Sequence, residues 1–262
     1  MLLVVECSQR ISGPNIKIAL DLGEFALALA SIDEQLLLEQ ANAIRDAALA
    51  GISLSLPDYA THGSRQLGYA AFVIEEGTAR RIINVTPTIS AIVSSLQPLE
   101  PEPAELAVRY AEAISASSRK LQNVPRLLAQ SLDDRNDALR SFVAAWTGLE
   151  VLVAVTFSTY EAMFLESFRG ALPAAASSAI ERIREVMGTR YRLLDRFVIM
   201  ASSLDPEGCA PDIAQFERVK RERDRFVHTM SGEPADLPTG TVQSLLRKYL
   251  RLHLEASSGR RH

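Results

Sequence analysis

Ser141-Phe142-Val143-Ala144-Ala145-Trp146-Thr147-Gly148-Leu149-Glu150-Val151-Leu152 is an apolar helical stretch with one acid in its middle. The apolar character runs on to Tyr160, long enough to raise the question of a membrane span. Glu150 at the centre and the polar residues after Phe157 read against a span and for a helix buried in a protein core. A carboxylate in such a helix needs a partner if it is buried. Glu150 is therefore expected to make a structural hydrogen bond or ion pair to the later helix that carries Arg223 and His228, and Trp146, one turn earlier, is expected in the core.

Working outward, the pattern on both sides is helical. Asp133 or Asp134 can cap this helix, which then runs to about Phe168, with Gly170 and Pro173 to end it. Ala104–Leu128 reads as one helix or two, interrupted near Pro125. Downstream, the spacing predicts helices over Ser177–Leu204, Pro211–Met230 and Thr239–Leu252, the last with Leu245, Leu246, Tyr249 and Leu252 as an apolar stripe.

The first hundred residues read differently. Met1–Cys7, Asn15–Leu20 and Gly68–Glu75 are strand-like apolar runs broken by Gly, Pro and Ser, and Arg81–Val85 adds a further short strand. Asp33–Ala50 reads as a helix, capped by Ser31 or Asp33 and stopped by Gly51. Gln97-Pro98-Leu99-Glu100-Pro101-Glu102-Pro103 is a stiff acidic connector, because closely spaced prolines cannot continue a helix. The expected organisation is an α+β N-terminal domain of unassigned role over residues 1–97, a linker over 98–103, and an all-α bundle over 104–262.

Composition narrows the function classes. Hydrophobic residues make up 47% and charged residues 23% of 262, which allows a sizeable core. Net charge is −4, against a chain that coats nucleic acid through bulk charge. Residues 1–96 carry 6 basic and 10 acidic side chains and residues 97–262 carry 22 of each, so any RNA contact would need a local cluster. Cys7 and Cys209 lack paired spacing, so neither a structural zinc site nor a disulfide framework is expected. No metal and no cofactor are expected, and the segment Met1–Glu6 has neither the basic leader nor the apolar run of a signal peptide. A reduced, cytoplasmic setting without membrane insertion fits these features. His62, within Tyr59-Ala60-Thr61-His62-Gly63-Ser64, reads as a surface-loop histidine.

Arg223-Asp224-Arg225-Phe226-Val227-His228 brings a permanent cation, a small acid and an imidazole into about one and a half helical turns. Arginine can grip a phosphate with two N–H groups, and histidine can move a proton near neutral pH. At about 100° per residue, Arg218, Arg221, Arg225 and His228 share one stripe, while Arg223 and His228 stand about 140° apart. One helix therefore presents both groups to one phosphate only if it loosens near His228, or if two copies of the helix face each other across a two-fold axis. The same hexapeptide also suits a solvated helix face in which Glu222 or Asp224 pairs with its neighbours and the histidine caps the helix.

Together, the Trp146/Glu150 helix and the later Arg-polar-x-x-x-His helix resemble the HEPN superfamily of all-α domains, particularly its Apea-like, abortive-infection branch. The likeness covers roughly residues 130–255. It implies a homodimer through the Arg/His helix and metal-independent RNA cleavage. His228 would act as general acid or base, Arg223 would stabilise the phosphorane-like transition state, and Asp224, where Asn is frequent in the family, would orient them. Arg221 and Arg225 would guide the RNA backbone, and Glu150 and Trp146 would give structural support. The expected products are a 2′,3′-cyclic phosphate and a 5′-hydroxyl. The family setting is defence or stress response, with a regulatory or antitoxin partner. The rival expectation is a non-catalytic HEPN-like dimer that binds nucleotide or protein, marked by an Arg223 locked to acids and a His228 facing away.

Overall fold

The computed structural model describes residues 34–56, 69–75, 78–85, 101–133, 136–171, 181–182, 185, 190–229 and 233–259. These form helices α1 (Glu34–Ser55), α2 (Pro101–Ser115), α3 (Arg119–Ser131), α4 (Ala138–Ala171), α5 (Leu193–Leu204), α6 (Cys209–Thr229) and α7 (Thr239–Gly259), with strands β1 (Tyr69–Glu75) and β2 (Thr78–Val85) between α1 and α2. A 3-10 turn over Pro234–Asp236 leads into α7.

The strands pair antiparallel, Tyr69 opposite Val85 and Glu75 opposite Thr78, with an irregularity between Ala71 and Phe72. They coincide with the apolar runs at Gly68–Glu75 and Arg81–Val85. The expectations for Met1–Cys7, Asn15–Leu20 and His62 lie outside the described residues.

The α+β domain expected over residues 1–97 is overturned. Helix dominates the described residues, and one hairpin is their only β structure, so the class is all-α. A two-stranded hairpin has too little apolar face to build a core of its own. The chain divides instead into one unit of Met1–Arg45 with Ser64–Glu100 and a second of Asp46–Gly63 with Pro101–His262. Ala47, Ala50 and Leu54, from the second half of α1, join the helical core of the second unit. Gly51 does not stop α1. A Cβ there would collide with the carbonyl oxygen of Ala107, so glycine lets α1 and α2 touch backbone to backbone.

The proline-rich segment also behaves differently from a linker. Pro101 and Pro103 occupy the first turn of α2, where backbone N–H groups have no partner within the helix and proline costs little. The break in the next stretch falls at Ala116–Ser118, where Ser118 Oγ accepts from Leu121 N at 3.4 Å, and Pro125 lies inside α3. The cap of α4 is Asp137, whose Oδ1 accepts from Arg140 N at 2.8 Å, in place of Asp133 or Asp134.

Helix α4 is the axis of the second unit and packs on α3, α5 and α7. Ala138–Ser167 is long and apolar enough to cross a membrane by length and composition, yet half of its most apolar window is buried within the bundle. Trp146, Leu149, Leu152, Val153 and Tyr160 all lie in the shared core. An aromatic chain crosses that core. Phe142 stacks on Trp146, Trp146 on Phe216 of α6 (5.5 Å between ring centres), Phe216 on Phe197 of α5 (4.0 Å), and Phe197 meets Tyr249 of α7 edge-on (5.1 Å). The predicted stripe on α7 packs here, with Leu245, Leu246 and Tyr249 buried and Leu252 partly so.

Candidate functional site

Helix α6 buries Phe216 and Val219 and half-buries Phe226, while its opposite side carries Arg218, Arg221, Arg225 and His228 into solvent. Arg223 lies between these faces and turns toward α4. Its Nη2 donates to Glu150 Oε1 at 2.7 Å and its Nη1 to Asp224 Oδ1 at 2.7 Å. The guanidinium carbon sits 5.1 Å from the centre of the Trp146 ring, in cation–π range. Asp224 uses its second oxygen for Lys220, with Oδ2 at 2.8 Å from Nζ.

The result is a closed polar bridge of two cations and two carboxylates built against a buried indole. The hydrogen bond from Lys220 holds the Asp224 carboxyl below its usual range against the opposing effect of burial, with Arg223 adding to it. The partner expected for Glu150 is thus Arg223, and Trp146 is 4% exposed. Arg223 and Glu150 keep 31% and 35% of their side-chain surface exposed, so the bridge sits at the edge of the core.

The structure brings together four residues singled out in the sequence, Trp146, Glu150, Arg223 and Asp224. It does not bring His228 to them. His228 is exposed in the last turn of α6 and makes no hydrogen bond or ion pair among the described residues. Arg221 is 72% exposed with Glu217 at 4.0 Å, and Arg218 reaches Glu222 at the same distance, both at the outer limit of an ion pair. Arg225 is exposed and engaged in an interaction of its own.

No family model, curated protein or solved structure matches this chain.

Two further polar clusters were not visible in the sequence. Lys248 of α7 binds Asp205 (2.7 Å) and Asp212 (2.6 Å), and Tyr249 OH donates to Asp212 at 2.9 Å. This knot ties the end of α5 and the start of α6 to α7. Burial disfavours the Lys248 charge, but the hydrogen bonds to both aspartates outweigh it and raise its pKa. Tyr249 is raised strongly by burial and by its bond to Asp212. The second cluster is the pair formed by Tyr160 OH and His253 Nδ1, 2.7 Å apart. Partners 36 to 93 positions apart leave no periodic signal, so only the fold reveals them. Among the described residues, no three His, Cys, Asp or Glu side chains gather in a way that would hold a metal ion.

Proposed function

We propose that the helical unit is a HEPN-like module that works by association, as a homodimer meeting through α6, and that Arg223 belongs to its frame. The observation that supports this reading best is the commitment of Arg223 to Glu150 and Asp224 while it stacks on Trp146. A phosphate approaching this point meets a neutral cluster. To move onto a transition state, the guanidinium would have to leave a half-buried Glu150 without its charged donor, at a cost of about 1–3 kcal/mol. Near the end of α6, Val227 is 54% exposed next to His228, an apolar side chain that suits a self-complementary two-fold contact. A cytoplasmic location is part of the same proposal.

The second reading is a metal-independent endoribonuclease, and the exposure of His228 on one stripe with Arg218, Arg221 and Arg225 favours it. In that reaction the RNA 2′-oxygen attacks its own phosphate, His228 moves the proton, and the 5′-oxygen leaves. Incubating the wild type and His228→Ala with tRNA in EDTA, with light scattering to follow the dimer, separates the two readings. The association reading expects a dimer and no His228-dependent cleavage. Chelator-resistant cleavage to a cyclic phosphate, lost in His228→Ala while the dimer persists, replaces it with the nuclease reading.

A further inference from the structure

A cleft of about 250 Å³ opens where the end of α2, the start of α3, the middle of α4 and the end of α7 meet, away from the Arg223 bridge. Its floor is apolar, with Leu121 and Leu254 buried. Its walls carry an unusual concentration of hydroxyl groups. Among the described residues that line it there is no carboxylate, ammonium or guanidinium, and His253 is the one ionisable group.

The hydroxyls are ordered by the helices that carry them. Ser117 Oγ donates to Ile114 O at 2.6 Å and Ser258 Oγ to Leu254 O at 2.8 Å, while the buried Thr156 Oγ1 donates to Leu152 O at 2.8 Å and packs against Met200 Sδ at 3.3 Å. Ser117 and Ser258 spend their protons on their own backbone, which leaves oxygen lone pairs as their remaining hydrogen-bonding capacity. Ser118 Oγ does the reverse: it accepts from Leu121 N and keeps its proton. His253 is held by the buried Tyr160, 2.7 Å from hydroxyl to Nδ1, with the rings edge-to-face at 5.8 Å. That bond fixes the orientation of the imidazole at the edge of the cleft.

From this we propose that the cleft is a binding site for a small uncharged polyol or sugar. A wall of fixed acceptors with one fixed donor and an oriented imidazole matches hydroxyl groups, which both donate and accept. The apolar floor matches the C–H face of such a molecule. A charged ligand would find no counter-charge there except imidazolium. The volume lies just below the range for drug-sized ligands, which limits the occupant to a molecule of about monosaccharide size.

The test uses the full chain with its histidine rings isotope-labelled. Four histidines occur, so His253→Gln assigns the resonance. Glucose and glycerol are the probes, with inorganic phosphate as the charged comparison. Saturable displacement of the His253 ring signal by glucose is expected. Affinity should fall at least about ten-fold in Thr159→Leu and Ser257→Leu, which fill the cleft from its rim. No displacement by either neutral probe, displacement by phosphate alone, or displacement that survives both variants overturns the proposal, leaving a cleft filled by water.

Discussion

Arg223 Nη2 and Glu150 Oε1 lie 2.7 Å apart and join α6 to α4 across 73 residues of chain. The same guanidinium caps the Trp146 ring, which is itself stacked on Phe216 two turns earlier in α6. One arginine thus closes the polar edge of an aromatic core. This relationship separates Arg223 from His228, although the two are five positions apart.

Trp146 should be the costliest single truncation near the site. Trp146→Ala removes a buried indole from between Phe142 and Phe216 and should cost about 3–5 kcal/mol. Trp146→Phe keeps much of the stack and should cost clearly less. Denaturant unfolding followed by circular dichroism checks both, since Trp146 is the chain's one tryptophan and its fluorescence is lost in these variants.

Gly51 and Gly240 should respond oppositely to alanine. At Gly51 the new Cβ meets the backbone of Ala107, which has no rotamer to yield, so the cost should be about 1–3 kcal/mol. At Gly240, in the first turn of α7, a Cβ meets nothing within 4 Å, and alanine should be neutral or stabilising by up to about 1 kcal/mol. Thermal unfolding of the two variants side by side reads the contrast.

Stability should fall off at both ends of the pH scale for identifiable reasons. Asp224 and Asp205 have lowered pKa values, chiefly through hydrogen bonds from Lys220 and Lys248 respectively. Their contribution is present above the unfolded carboxylate value of about 3.9 and is lost as pH falls through the lower folded values. Lys248 and Tyr249 are raised, so their contribution is complete below about pH 10 and is lost as pH climbs toward the folded values. Asp224→Asn should flatten the acid limb, and Tyr249→Phe should flatten the alkaline limb, in midpoint-versus-pH curves.

The helical half of this architecture was legible because its signals are local. The apolar run around Trp146, the stripe on α7 and the mixed faces of α6 each repeat at helical spacing, and the structure packs them accordingly. The misreadings came from residues whose meaning depends on a distant partner. Gly51 looks like a helix stop until Ala107 is beside it, and Pro101 and Pro103 look like a linker although each suits a helix's first turn. The α+β reading failed because Ala47, Ala50 and Leu54 join a core built from residues far downstream. At the site, an acid in an apolar helix announced that Glu150 needs a partner on the Arg/His helix, but not which residue of it. The identity of that partner decides between a free and a committed Arg223.

The most direct test of this account is a double-mutant cycle on Glu150 and Arg223, using Glu150→Gln, Arg223→Gln and the pair, with stability read from denaturant unfolding. If Arg223 belongs to the frame, each single change destabilises by about 1–2 kcal/mol and the cycle returns a coupling of at least about 1 kcal/mol. Additive effects, with Arg223→Gln as stable as the wild type, would contradict the account and remove Arg223 from the frame.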